Sequence, residues 1–130
     1  MENKFVIEDL YNAIEESGLI DSLYAIFGKN IKIKILFPDF VCKSKIEELN
    51  LSVRGYNCLK RVGINYIEDL INMIEKTDLY SIRNLGKKTV VEIKTTLLEY
   101  VYNSIPKPDR LAFLKCMFED NQVIISSKTN

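Results

Sequence analysis

"NLSVRGYNCLKRVG", Asn50–Gly63, is the stretch on which the fold turns. Serine is a favoured helix N-cap and glycine a favoured helix stop, so Ser52 and Gly63 bracket a predicted helix, Ser52–Val62. Val53, Tyr56 and Leu59 recur at spacing three and are expected to form its buried side. Arg54, Asn57, Cys58 and Arg61 fall at i, i+3, i+4 and i+7, which is expected to gather them on the opposite, outward face. Gly55 is out of place, because a glycine inside a helix costs about 1 kcal/mol relative to alanine.

Outward from that helix, the sequence reads as a run of further helices. A second is predicted from Asn65, with Glu68 completing a capping box and Ile67, Leu70, Ile71 and Ile74 buried. A short third follows Thr77 and carries Leu79 and Ile82. The fourth opens at "GKKT" (Gly86–Thr89), buries Val90, Ile93, Leu97 and Val101, and ends near Tyr102 ahead of Pro106 and Pro108. A last helix lies in "DRLAFLKCMF". Upstream, Ile7, Leu10, Tyr11 and Ile14 mark an amphipathic helix stopped by Gly18, and another runs to Gly28. In "NIKIKILF", Ile31, Ile33 and Ile35 alternate with Lys32 and Lys34, a strand pattern. "QVIISS" is the other β-like run, and the two are expected to pair, or one of them to pair with another copy of the protein. The predicted fold class is mainly α: a compact helical domain with helix-hairpin-helix-like elements and a small two-stranded β element from the flanks. It divides into an N-terminal extension (1–42), a central helical domain (43–103) and a C-terminal extension (104–130).

Composition narrows the function. The protein has 130 residues, 47% hydrophobic and 28% charged, which describes a soluble globular protein. No apolar run is long enough to span a membrane and no secretory signal is apparent, so a cytoplasmic protein is expected. Three cysteines without a CxxC pair, and no histidine, argue against a zinc site. The same lack of histidine removes the commonest general base. No acid, base and nucleophile set can be assembled, so neither an enzyme nor a cofactor is expected. Net charge is zero but uneven: residues 1–42 carry −3, residues 43–103 carry +2 and residues 104–130 carry +1.

Two helix starts concentrate the chemistry. Arg54 and Asn57 lie at one, and Lys88, Thr89 and Glu92 share a face at the other, directly after the turn "RNLG". Helix starts supply free N–H groups and the positive end of the macrodipole, which suit phosphate oxygens. Gly86 in that turn permits a close backbone approach.

"IEELNLSVRGYNCLKRVGINYIEDLI" (Ile46–Ile71) followed by "IRNLGKKTVVEIK" (Ile82–Lys94) closely resembles the C-terminal domain of the bacterial RNA polymerase alpha subunit. The resemblance covers about residues 46–98 and rests on two separated signatures, "LSVRxxNCLK" and "NLGKK[ST]xxEIK". It implies a compact helical fold with helix-hairpin-helix-like elements and binding to the minor groove of A/T-rich DNA upstream of promoters. It also implies contacts with sigma factor and activators. By match, Arg54 is the arginine that enters the groove, with Asn57 and Cys58 beside it, and Gly55, lacking a Cβ, is then expected to let a DNA strand approach the helix start. Gly86, Lys88, Thr89 and Glu92 belong to the second contributing helix, where Glu92 is expected to orient Lys88 or Arg54. A narrow A-tract groove concentrates negative potential and favours an inserted arginine.

The linker and assembly domain of an alpha subunit are not in this sequence, and the flanks match nothing recognised. The expectation is a stand-alone accessory or phage-type transcription regulator. One such module binds DNA weakly, with non-specific dissociation constants on the order of 10⁻⁴ to 10⁻⁶ M. Homodimerisation, or tethering to RNA polymerase, would supply the rest. A reading from another class stays open, a protein-interaction module that binds polymerase, sigma factor or a regulator without touching DNA.

Overall fold

The computed structural model describes residues 4–28, 35–76 and 79–128. The protein forms two compact units, one from Met1–Leu36 with Tyr102–Asn130 and the other from Phe37–Val101. Residues 1–36 and 102–130 therefore form one unit built from both ends of the sequence, whereas residues 37–42, read as part of the N-terminal extension, fall in the central unit.

In the two-ended unit a short strand β1 (Lys4–Val6) leads without a loop into α1 (Ile7–Ser17), and α2 (Leu19–Phe27) follows. Gly18 alone separates the two helices, with φ 95°, a backbone conformation that glycine adopts without steric cost. Its N–H closes α1 on Ile14 O at 2.8 Å. After the proline-flanked break, α7 (Lys107–Asp120) runs to β2 (Ile124–Ser126). Ile7, Leu10, Ile14, Leu19, Leu23, Leu114, Met117 and Phe118 are buried, and Phe27 stacks on Phe118 with ring centroids 6.3 Å apart.

The strand predicted in "QVIISS" exists, but its partner differs from the expected one. β2 pairs in parallel with β1, Phe5 opposite Ile125. Lys4–Val6 is too short to show a strand period and runs straight into a helical pattern, which hides it in the sequence. The strand expected around Ile31–Ile35 falls largely outside the described residues.

The central unit begins with α3 (Asp39–Cys42) and a 3-10 turn at Ile46–Leu49. Then come α4 (Val53–Arg61), α5 (Ile67–Lys76), a second 3-10 turn at Leu79–Ser81, and α6 (Lys87–Ser104), of which residues 87–101 belong here. Ile46, Leu49, Leu59, Ile64, Ile67, Leu70, Leu79, Val90, Ile93 and Leu97 make its core. Ile74, expected inside, is half-buried.

α4 ends as predicted at Gly63, in a Schellman arrangement: Gly63 N–H donates to Lys60 O at 3.0 Å and Ile64 N–H to Leu59 O at 3.0 Å. The cap of α5 corrects the sequence reading. Asp69, not Glu68, accepts from the amides of Asn65 (3.3 Å) and Tyr66 (3.0 Å). The helix starts at Ile67, which makes Tyr66 the N-cap and Asp69 the third helical residue, the position from which a carboxylate reaches back. No helix among the described residues is long and apolar enough to cross a membrane.

Candidate nucleic-acid interface

The starts of α4 and α6 meet. Ser52 caps α4 by accepting from Gly55 N–H at 3.2 Å. The same hydroxyl donates to Glu92 Oε1 at 2.9 Å, and Ser52 N–H reaches that oxygen at 3.3 Å. Glu92 stands in the second turn of α6, so one carboxylate oxygen ties the two helix beginnings together. A Cβ at Gly55 would lie 3.1 Å from Glu92 Oε1, 3.4 Å from Ser52 Oγ and 3.4 Å from the γ-methyl of Thr89. Gly55 is buried in this joint.

That geometry corrects two expectations. The glycine makes room for α6 rather than for an approaching DNA strand. Glu92, expected to orient Lys88 or Arg54, has its hydrogen bonds on Ser52 instead. Thr89 is half-buried, with its methyl in the same joint.

The faces of α4 also differ from the predicted division. Val53 is 76% exposed, whereas Cys58 is 4% exposed and points its thiol at Asn84 O, 3.7 Å away. At about 100° per residue, Val53, Asn57, Arg61 and Arg54 fall within one outward arc of about 100°. Cys58 lies beyond its edge, toward the buried Gly55 and Leu59. Spacing alone fits both divisions of this helix, and packing against the Asn84 turn decides between them. Cys58 thus lies beneath the exposed arc.

Arg54, Asn57 and Arg61 are exposed on α4, and Gly86, Lys87 and Lys88 at the start of α6. Among the described residues, the protein's own carboxylates pair with none of these four cations. Lys60 behaves otherwise: it bridges Glu47 Oε2 (3.3 Å) and Asn65 Oδ1 (3.0 Å) over the ring of Tyr56. Gly86 brings no capping side chain, so the amides of Lys87, Lys88 and Thr89 lack acceptors within the helix. Neither its φ nor its surroundings require glycine, for nothing lies within 4 Å of a Cβ built there. The turn before it holds Asn84 in the left-handed region at φ 69°, a role to which asparagine is suited and which the sequence reading did not assign.

The arrangement is a pair of helix starts joined through Glu92 and Ser52, with exposed cations at each that pair with no carboxylate among the described residues. Comparison with known proteins finds a match over the stretch that holds both helix starts. The family described as the C-terminal domain of the alpha subunit of bacterial RNA polymerase matches residues 41–99. The protein is 52% identical over 59 residues to the DNA-directed RNA polymerase subunit alpha of Bacillus velezensis, covering 45% of its own length and 18% of that relative. It is 45% identical over 83 residues to the subunit of the same name from Leifsonia xyli subsp. xyli, covering 62% of its own length and 25% of the relative. The protein thus spans a quarter or less of the length of these curated relatives. Residues 41–99, which hold α4, most of α6 and the joint between them, are thus similar to the C-terminal domain of the bacterial RNA polymerase alpha chain.

Proposed function

We propose that this protein is a transcription-associated DNA-binding module that contacts the minor groove of A/T-rich DNA through Arg54, Asn57 and the start of α6. The observation that carries the reading is the meeting of two helix starts whose exposed cations pair with no carboxylate among the described residues. A/T base pairs present only acceptors in the minor groove, which suits a guanidinium and an asparagine amide. Lys87, Lys88 and the first amides of α6 suit the flanking phosphates, and Gly86 leaves room for a sugar-phosphate backbone at that point. The family match over residues 41–99 supports the same reading, as do the relatives' roles as polymerase subunits.

One observation favours a second reading. Val53 is an apolar side chain, 76% exposed, beside Arg54 on the outward arc, as at a surface that meets polymerase, sigma factor or an activator.

The test titrates an A-tract duplex and a G/C duplex at two salt concentrations with wild type and Arg54→Ala. The DNA reading expects tighter binding to the A-tract, weakening with salt, and a loss of at least about tenfold in the variant, the worth of one good groove contact. Equal affinity for both duplexes, or an indifferent variant, would transfer the surface to a protein partner.

A further inference from the structure

We infer that Glu92 is a positioning residue: it makes no contact with DNA, and it sets the spacing of the two DNA-contacting helix starts by holding Ser52. The inference rests on the proposed A/T minor-groove contact and assigns the means by which that contact is kept in shape.

The chemistry of the groove excludes a direct role. An ionised carboxylate only accepts hydrogen bonds. The minor-groove edges of A/T pairs also only accept, and the phosphates on either side repel a negative charge. Glu92 therefore has nothing to bind on such DNA. Within the protein it has two donors, Ser52 Oγ at 2.9 Å and Ser52 N–H at 3.3 Å, forty residues away in sequence. Ser52 in turn caps α4 through Gly55 N–H, one residue beyond Arg54. The contacts run from the second turn of α6 to the backbone of the first turn of α4. Gly55 and the γ-methyl of Thr89 close the joint around them. Without the tie, the Ser52 hydroxyl that caps α4 is no longer held in place, and Arg54 and Lys88 lose their common reference.

The full-length protein is tested as Glu92→Ala, Glu92→Gln, Ser52→Ala and Ser52→Ala/Glu92→Ala. Readouts are anisotropy with the A-tract duplex and hydrogen exchange of the Ser52 and Gly55 amides. Glutamine keeps an acceptor oxygen and drops the charge, so Glu92→Gln should bind the duplex as tightly as wild type or more tightly. Glu92→Ala should bind about fivefold more weakly, the size of one helix cap, with faster exchange at both amides. The double variant should lose less than the product of the two single losses, because both remove one linkage. Glu92→Gln as weak as Glu92→Ala would show that the charge acts directly and overturn the inference. So would multiplicative losses, or unchanged exchange in Glu92→Ala. If wild type fails to prefer the A-tract, the functional reading fails by itself, and the exchange rates still decide the tie.

Discussion

Gly55 is the residue at which local and tertiary preferences conflict. Helix propensity asks for almost anything else in the first turn of α4. The start of α6 asks for no side chain, since a Cβ there would meet Glu92 Oε1 at 3.1 Å. One extra carbon requires its neighbours to give only a few tenths of an ångström, and alanine regains about 1 kcal/mol of propensity. Gly55→Ala is therefore expected to melt close to wild type. Gly55→Val adds two methyls against Thr89 and the Glu92–Ser52 tie, and overpacking of this kind costs about 1–3 kcal/mol. Thermal unfolding followed by circular dichroism checks the contrast. A valine variant as stable as the alanine variant would mean that the joint has slack.

At the level of elements, α4 and α7 end in the same way with different residues. After α7, Gln122 N–H donates to Glu119 O at 3.1 Å and Val123 N–H to Phe118 O at 2.9 Å, the bond pattern of α4 at Gly63. Gln122 holds φ 63°, a left-handed conformation that costs a non-glycine residue roughly 1–2 kcal/mol. Gln122→Gly should remove that cost and raise unfolding stability by about 1 kcal/mol, read from denaturant midpoints. An unchanged or lower midpoint would show that the glutamine side chain offsets the strain. Such ends were legible in part. Gly18, Gly63 and the Pro106–Pro108 pair announced theirs, and the apolar spacing of Val90, Ile93, Leu97 and Val101 announced the buried side of α6. The rest was hidden for physical reasons. Cys58 and Val53 changed places because a nine-residue helix fits two angular divisions and only its neighbours choose between them. Glu92 shows its face in the sequence but not Ser52 as its partner, because that bond joins elements forty residues apart.

At the scale of the whole molecule, the proposed contact residues all lie in the unit Phe37–Val101, while the two ends of the sequence build the other. The second unit is held by its own polar cluster. Arg110 donates from Nη1 to Glu15 Oε1 at 3.1 Å and from Nε to Ile105 O at 2.9 Å, with its guanidinium 5.0 Å from the Tyr102 ring centroid. Tyr102 donates its hydroxyl to the same Glu15 oxygen at 3.2 Å. The Arg110 hydrogen bond, helped by that of Tyr102, holds the Glu15 carboxyl below its ordinary value of 4.5. A carboxyl with a lowered folded value stabilises fully above its unfolded value, and this contribution disappears as pH falls through the lowered one. Arg110→Ala should thus melt below wild type at neutral pH. The gap should narrow on acidification through the carboxylate range, as wild type loses what the variant never had. A gap that stayed constant with pH would assign the effect to lost packing on Tyr102 rather than to Glu15. The same variant also tests whether the contact surface is confined to one unit. Arg54, Asn57, Gly86 and Lys88 are untouched by it, so its A-tract affinity should equal that of wild type under conditions where both are folded. A weakened affinity there would show that the unit made from the two ends of the sequence takes part in binding.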